Sequence, residues 1–223
     1  MLWSGLDSWR AEGARIEERG AARYGTTPGS KASPTATPPT PPYRGALGMV
    51  ATGTQLGIDP LPYRVDYRLE VGADWITRRL DVTAAGDGWS RQLDLRHLGT
   101  GNWICTVKET GRPLGHVFDP PGGNMSEVTG ALDCDLANSP LTNVMPIRRR
   151  GLHQRPGSAN FVMAWVSVPD LHVHASPQRY EHVRVTNEGS VVRFVSEDRS
   201  FTSELELNRD GYVVTYPGLA THV

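Results

Sequence analysis

The sequence has 223 residues, and its 23 lysines and arginines stand against 24 aspartates and glutamates, which gives a net charge of -1. A chain of this length can bury a substantial core, but its near-neutral charge excludes a general electrostatic attraction to nucleic acid or anionic membranes. We therefore expect no nucleic-acid partner.

The N-terminal segment does not resemble a secretory signal, because it carries acidic residues from Asp7 onward and lacks an apolar stretch with a small-residue cleavage site. The longest dense apolar stretch, residues 161–168, is too short to cross a membrane. We therefore expect a cytoplasmic protein without a transmembrane segment. Residues 8–23 could form a helix on composition, although their glycines and weak apolar stripe disfavour one.

A proline-rich segment follows. Apart from its prolines, the stretch from Thr26 to Gly45 has no apolar side chain larger than alanine before Tyr43. Such a segment cannot bury enough apolar surface to offset the entropy lost on ordering. We predict a flexible insertion over residues 20–49 within a single domain that spans residues 1–223.

Beyond this segment, apolar and polar residues alternate with the period of two that is typical of β-strands. In RVDYRLEV, the apolar residues from Val65 to Val71 lie on one face and charged residues on the other. In WITRRLDV, Arg78 shares a face with apolar residues such as Leu80, which marks it as a candidate inward-facing polar anchor.

Further strand candidates are RQLDL, NWICTVKE, EVTGALDCDL, NFVMAWVSV, LHVHA, YEHVRVT, VVRFVSE, TSELEL and GYVVTYP. About ten short strands without a long amphipathic helix predict an all-β fold. We expect an antiparallel, strongly curved sheet that forms a barrel-like roll or cup. The two cysteines, Cys105 and Cys134, are interpreted as small core residues.

The strongest charge cluster lies in residues 132–150, LDCDLANSPLTNVMPIRRR. On a strand, Asp133 and Asp135 would share one face. If a strand continues through the arginines, Arg148 and Arg149 would lie on opposite faces. One explanation is structural, because buried charges must be paired. The other is functional, because guanidinium groups bind sugar diols, carboxylates or phosphates.

This segment resembles the signature of the bacterial glycolipid-binding family, formerly a domain of unknown function. Other segments resemble that family in the same order, namely LWSGLDSWRAEGARIE, ATGTQLGIDPLPYRVDYRLEV, DWITRRLDV, GNW, AWVSVPDLHV with PQRY, and RDGYVVTYPGL. The resemblance covers nearly the whole chain except the proline-rich insertion. Ser139 stands where the family usually has threonine, and Arg150 where leucine commonly follows. The resemblance implies a curved β-sheet cup that holds an amphiphile.

We therefore expect non-catalytic binding of an amphiphilic ligand, with a glycolipid as the favoured class and arginines as polar anchors. The expected ligand-binding residues are Arg78, Arg148, Arg149, Trp75, Trp103, Trp165 and Tyr180. The residues expected to position them are Asp133, Asp135, Thr142, Asn143 and Gln178. No cofactor, metal or catalytic residue is expected.

Three alternatives remain open. A structural or interaction protein would use the Asp/Arg cluster as a buried network, and an exposed strand edge could form a homodimer. A glycoside hydrolase would use Asp133 and Asp135, although neighbouring arginines should keep both carboxylates ionised and so disable a general acid. His172 and His174 form an H-x-H pair that could be half of a metal site, but a third ligand such as His182 or Asp170 would have to come from elsewhere in the chain, and no HExxH or paired CxxC motif supports it.

Overall fold

The computed structural model describes residues 1–5, 9–19, 47–115 and 117–222. These residues form fourteen strands and one short α-helix. The first seven strands are β1 (Leu2–Gly5), β2 (Arg10–Glu18), β3 (Leu47–Gly57), β4 (Tyr63–Gly72), β5 (Thr77–Gly86), β6 (Trp89–His97) and β7 (Trp103–Gly111). The short β8 (Asp133–Leu136) is followed by a 3-10 turn (Pro140–Asn143) and helix α1 (Val144–Arg150). The remaining strands are β9 (Ser158–Val166), β10 (Val173–Val185), β11 (Gly189–Ser196), β12 (Phe201–Asn208), β13 (Val213–Tyr216) and β14 (Ala220–His222).

All fourteen strands belong to one sheet in the order β7-β6-β5-β4-β3-β2-β1-β14-β13-β12-β11-β10-β9-β8. Neighbouring strands are antiparallel except β8 and β9, which run parallel. The predicted all-β class is therefore confirmed. Within the described part of the chain, the end strands β7 and β8 do not pair with each other, so a closed barrel is not confirmed.

The sheet curls so that its two halves face each other. Strand β8, at one end of the sheet, contacts β5 near the other end, where Thr77 N donates to Leu132 O (3.2 Å) and Cys134 N donates to Thr77 Oγ1 (3.1 Å). The larger hydrophobic cluster accordingly contains residues of every strand from β3 to β7 together with residues of β8 and β9. This arrangement is compatible with the predicted roll or cup.

The alternation in β4 is confirmed, because Val65, Tyr67, Leu69 and Val71 are all buried. Strand β5 departs from the prediction. Its register against β4 shifts between Glu70 and Val71, which leaves Arg78 as the extra residue of a β-bulge. Because the bulge breaks the alternation, Thr77 takes the fully buried position, and Arg78 is only partly buried.

Helix α1 corrects the prediction for the arginine run, which lies on a helix and not on a continuing strand. The local sequence explains this. A proline in the first turn fits the helix backbone, and a glycine directly after the last arginine allows a left-handed C-terminal residue. Gly151 has φ 68° and ψ 24°. The helix is buried through its first four residues, whereas the arginines lie in its last turn.

Two further expectations are refined by the described residues. Residues 47–49, the end of the predicted insertion, belong to strand β3, and residues 20–46 lie outside the described ranges. Residues 8–23, which could have formed a helix on composition, contain strand β2, and β2 pairs with β3 from Arg10 to Glu18. In the part of the chain that the structure describes, no helix has the length and apolarity needed to span a bilayer.

Candidate functional site

Arg149, one of the predicted anchors, is held by a buried carboxylate. Its guanidinium donates two hydrogen bonds to Asp133, at 2.7 and 2.6 Å, and a third to the backbone oxygen of Trp75 at 2.7 Å. Asp133 is 1% exposed. Burial raises the pKa of Asp133, and the hydrogen bonds and charge of Arg149 only partly oppose that effect.

Arg148 lies on the other side of the same helix end. Its guanidinium stacks over the ring of Trp75 at 4.0 Å from the centroid and forms an ion pair with Glu18. Tyr212 Oη also donates to Glu18, at 2.7 Å. Arg148 therefore ties α1 to the C-terminal end of β2.

Arg78, Trp103 and Tyr180, which were also predicted to bind the ligand, each bind a different partner. Arg78 donates to Asp74 at 2.8 Å. Trp103 is a core residue whose indole donates to Ala131 O at 2.9 Å. Tyr180 is fully buried, and its hydroxyl donates to Asn143 at 2.8 Å.

A cavity of about 320 Å³ lies between β8, the loop after it, and the strands β9, β11, β12 and β13. We call it the Trp165 cavity. Its aromatic lining consists of Trp165, Phe194, Phe201 and Tyr216. Its polar lining consists of Asp135, Asn138, Ser139, Asn143 and Arg199. This volume lies within the usual range for small-molecule sites, which combine an apolar wall with a few polar groups.

Asp135 is the acidic group of this cavity. It accepts hydrogen bonds from Thr142 Oγ1 and from Gln178 Nε2, both at 2.7 Å. Burial raises the pKa of Asp135, and these two hydrogen bonds partly oppose the rise. At Asp133 burial outweighs the opposing effect of Arg149 on the pKa, and Arg149 bonds Asp133 and not Asp135. The expectation that neighbouring arginines keep both aspartates ionised stays a prediction.

Arg199 is a cavity residue that the sequence analysis missed. Its guanidinium lies over the Trp165 ring at 4.8 Å and donates to Ser196 Oγ at 2.9 Å. Its side chain remains 42% exposed. Because Arg199 follows strand β11 in an ordinary turn, no motif marks it, and only the folded sheet brings it to Trp165.

The alternative metal site at His172 and His174 gains no third ligand from the described residues. His174 packs against Trp165, and His172 contacts Pro120 O. No group of three or more histidine, cysteine, aspartate or glutamate side chains in the described residues is placed to hold a metal ion. Among the described residues, both cysteines are free thiols. Cys134 is buried as expected, and Cys105 is partly buried.

Comparisons with known proteins agree on one family. A structural comparison matches a crystal structure of a DUF1089 family protein from Pseudomonas aeruginosa, with a TM-score of 0.62 and 27% identity. The match covers 90% of this chain and 100% of that one. No curated protein matches the sequence significantly. A family model described as "Putative glycolipid-binding", whose former name is DUF1089, matches residues 44–222. The chain belongs to the family that this model describes.

Proposed function

We propose that the protein binds an amphiphilic ligand without catalysis, with a glycolipid as the favoured class, and that the ligand occupies the Trp165 cavity. The observation that carries this proposal is the combination of four aromatic side chains with a polar edge in a single cavity of about 320 Å³. An amphiphile needs both kinds of surface side by side. The family name gives independent support for the ligand class.

In this proposal the apolar part of the ligand packs on Phe194, Phe201 and Tyr216. Its polar head lies near Asp135 and Arg199, whose hydrogen-bonding groups suit hydroxyls. Arg199 has its guanidinium carbon 4.8 Å from the centroid of the Trp165 ring and donates to Ser196 through Nε, and in this proposal its terminal nitrogens bind the polar head.

The absence of catalysis is part of the proposal. Glycoside hydrolases generally use two carboxyl groups that flank the same bond. Among the described residues that line the Trp165 cavity, Asp135 is the single acidic one. Asp133 instead lines a separate depression beside Arg149 and Phe161.

The ion pair between Arg149 and Asp133 favours a second candidate, a structural or interaction protein with a buried Asp/Arg network. Anchoring of a ligand by Arg78, Arg148 and Arg149 stays a prediction, as do the single domain, the homodimer, the lack of a nucleic-acid partner and the cytoplasmic location. The two functions differ in their dependence on Trp165, because a structural network does not need that cavity.

The test uses the full chain and n-octyl β-D-glucoside below its micellar concentration, measured by isothermal titration calorimetry. We expect saturable binding that Trp165→Leu weakens about tenfold or more, because the change removes the indole face from the cavity. Trp9→Leu is the matched control, since Trp9 is 60% exposed and does not line the cavity. Native mass spectrometry of the gently purified protein should also detect a co-purifying amphiphile.

The proposal fails if the wild-type protein neither binds the glucoside nor carries an amphiphile. It also fails if Trp165→Leu binds the glucoside as tightly as Trp9→Leu.

A further inference from the structure

Side chains of strands β2 and β3 hydrogen-bond to one edge of the Trp165 cavity. We call this edge, residues 137–139, the edge segment. Gln55 Nε2 donates to Ala137 O at 3.2 Å, and Arg10 Nη1 donates to the Asn138 side chain at 3.3 Å. Ser139 Oγ donates to Glu12 Oε1 at 2.6 Å. Asn138, at the centre, has a left-handed φ of 62° and so depends on such contacts.

If its carboxyl group is ionised, Glu12 has too few hydrogen-bond donors around it to satisfy both of its oxygens. Oε1 accepts from Tyr67 Oη at 2.5 Å and from Ser139 Oγ at 2.6 Å. Within the described part of the chain, Glu12 Oε2 makes no hydrogen bond, and neither does Gln55 Oε1. Both oxygens are acceptors, both residues are buried, and both line one void of about 10 Å³. An ionised Glu12 would leave Oε2 as a buried anionic oxygen without a hydrogen bond, and a proton on Oε2 removes that charge.

We propose that Glu12 is a positioning residue for the Trp165 cavity, which binds a proton and in that neutral form holds the edge segment in its ligand-binding position. This inference rests on the proposed function of the cavity.

Ionisation of Glu12 would weaken one of the three contacts to the edge segment. A negative Oε2 would be a buried charge without a hydrogen bond, which is costly. The Gln55 side chain already contributes a hydrogen bond that lowers the pKa of Glu12, and an ionised carboxylate would draw Gln55 Nε2 further towards itself and away from Ala137 O. The edge segment would then gain freedom, so that a smaller fraction of the protein is competent to bind.

The surroundings of Glu12 agree with a proton that is exchanged near neutral pH. Burial raises the pKa of Glu12 to about 7, and the hydrogen bonds from the side chains of Ser139, Tyr67 and Gln55 only partly oppose it. The amino group of Met1 lowers this pKa slightly. Arg10 and Tyr63 line the same void. Burial raises the pKa of both Tyr63 and Tyr67, so these hydroxyls stay neutral in the same pH range.

The first measurement is a carbon-13 NMR titration of the Glu12 carboxyl group in the full-length protein, with the assignment taken from Glu12→Gln. We expect Glu12 to be protonated at pH 6 and to titrate near neutral pH, together with the amide signals of Asn138 and Ser139. This readout needs no ligand, so it tests the proton site even if the cavity binds no amphiphile.

The second measurement is the affinity for n-octyl β-D-glucoside between pH 6 and pH 8, because this probe has no charge of its own. We expect wild-type affinity to fall about tenfold over this range, following the neutral fraction of Glu12. Glu12→Gln should keep the pH 6 affinity at pH 8, since its side chain stays neutral over this range. Glu17→Gln, in the same strand and on an exposed residue, should behave as wild type.

A Glu12 carboxyl that is already ionised at pH 6 would overturn the inference. A fall in affinity that is equally large in Glu12→Gln would overturn it as well. Failure of the glucoside to bind at any pH, with Glu12 titrating as expected, would count against the proposed function and thus against the positioning role, while leaving the proton site established.

Discussion

At the scale of single residues, the buried ion pair between Arg149 and Asp133 should have a large effect on stability when it is broken. The carboxyl group is fully buried, and its partner side chain is 14% exposed. Arg149→Ala would leave a buried acid without its cation, so we expect a loss of roughly 3–5 kcal/mol in the free energy of unfolding. Urea denaturation at neutral pH measures this loss.

Two variants sharpen that experiment. Arg150→Ala changes the neighbouring, exposed arginine and should alter stability by no more than about 0.5 kcal/mol. The double variant Asp133→Asn with Arg149→Ala should be more stable than Arg149→Ala alone, because no buried charge is then left unpaired. Additive effects of the two changes would contradict the assigned pairing.

At the scale of elements, α1 depends on the residue that ends it. Gly151 N donates to Arg148 O at 3.1 Å, and the left-handed backbone of Gly151 lets the chain turn back so that Leu152 N reaches Ile147 O. Gly151→Ala places a Cβ in that conformation, and we expect a cost of about 1 kcal/mol. Thermal unfolding followed by circular dichroism measures it.

The matched control is Gly13→Ala in strand β2. At Gly13 the added Cβ would meet Leu2 at an ordinary 3.6 Å, and the backbone is not left-handed. We expect this change to be neutral or slightly stabilising, because alanine restricts the unfolded chain. Equal destabilisation by both substitutions would show that the left-handed conformation of Gly151 is not what limits α1.

Sequence patterns predicted the elements only where the pattern is regular. The alternation of β4 could be recognised because it runs without interruption from Tyr63 to Val71. The bulge at Arg78 could not, since it arises from pairing with a neighbouring strand. Helix α1 was missed although Pro146 and Gly151 are helix-end signals, because seven residues are too few to show a helical period.

At the scale of the whole molecule, the Trp165 cavity is assembled from segments far apart in the sequence. Asp135, Asn143 and Trp165 were identified from the sequence, since they lie in the segments that resemble the family. Arg199 lies in the turn between β11 and β12 and Phe201 begins β12, whereas Trp165 lies on β9, so these residues meet only in the folded sheet. Glu12 was missed for a different reason, because the secondary structure of its segment was left open.

The curled sheet also places one buried acid, Glu12, where it affects the stability of the entire chain. Its pKa of about 7 in the folded state exceeds its ordinary value of 4.5. Between these two values the folded chain binds more protons than the unfolded chain, so the free energy of unfolding decreases as pH rises. The decrease contributed by Glu12 is complete above about pH 7 and amounts to about 3 kcal/mol as an order of magnitude.

Other groups act in the opposite direction, so the contribution of Glu12 has to be isolated by a variant. The side-chain hydrogen bond from Arg64 lowers the pKa of Asp66, and burial lowers that of His97, so both favour the folded chain as pH rises. Glu12→Gln leaves these groups in place and removes only the proton of Glu12. Urea denaturation of both proteins from pH 4.5 to pH 7.5 should therefore show the variant gaining stability relative to wild type as pH rises, with most of the gain before pH 7. Two curves that stay parallel across this range would mean that Glu12 holds the same charge in the folded and unfolded states.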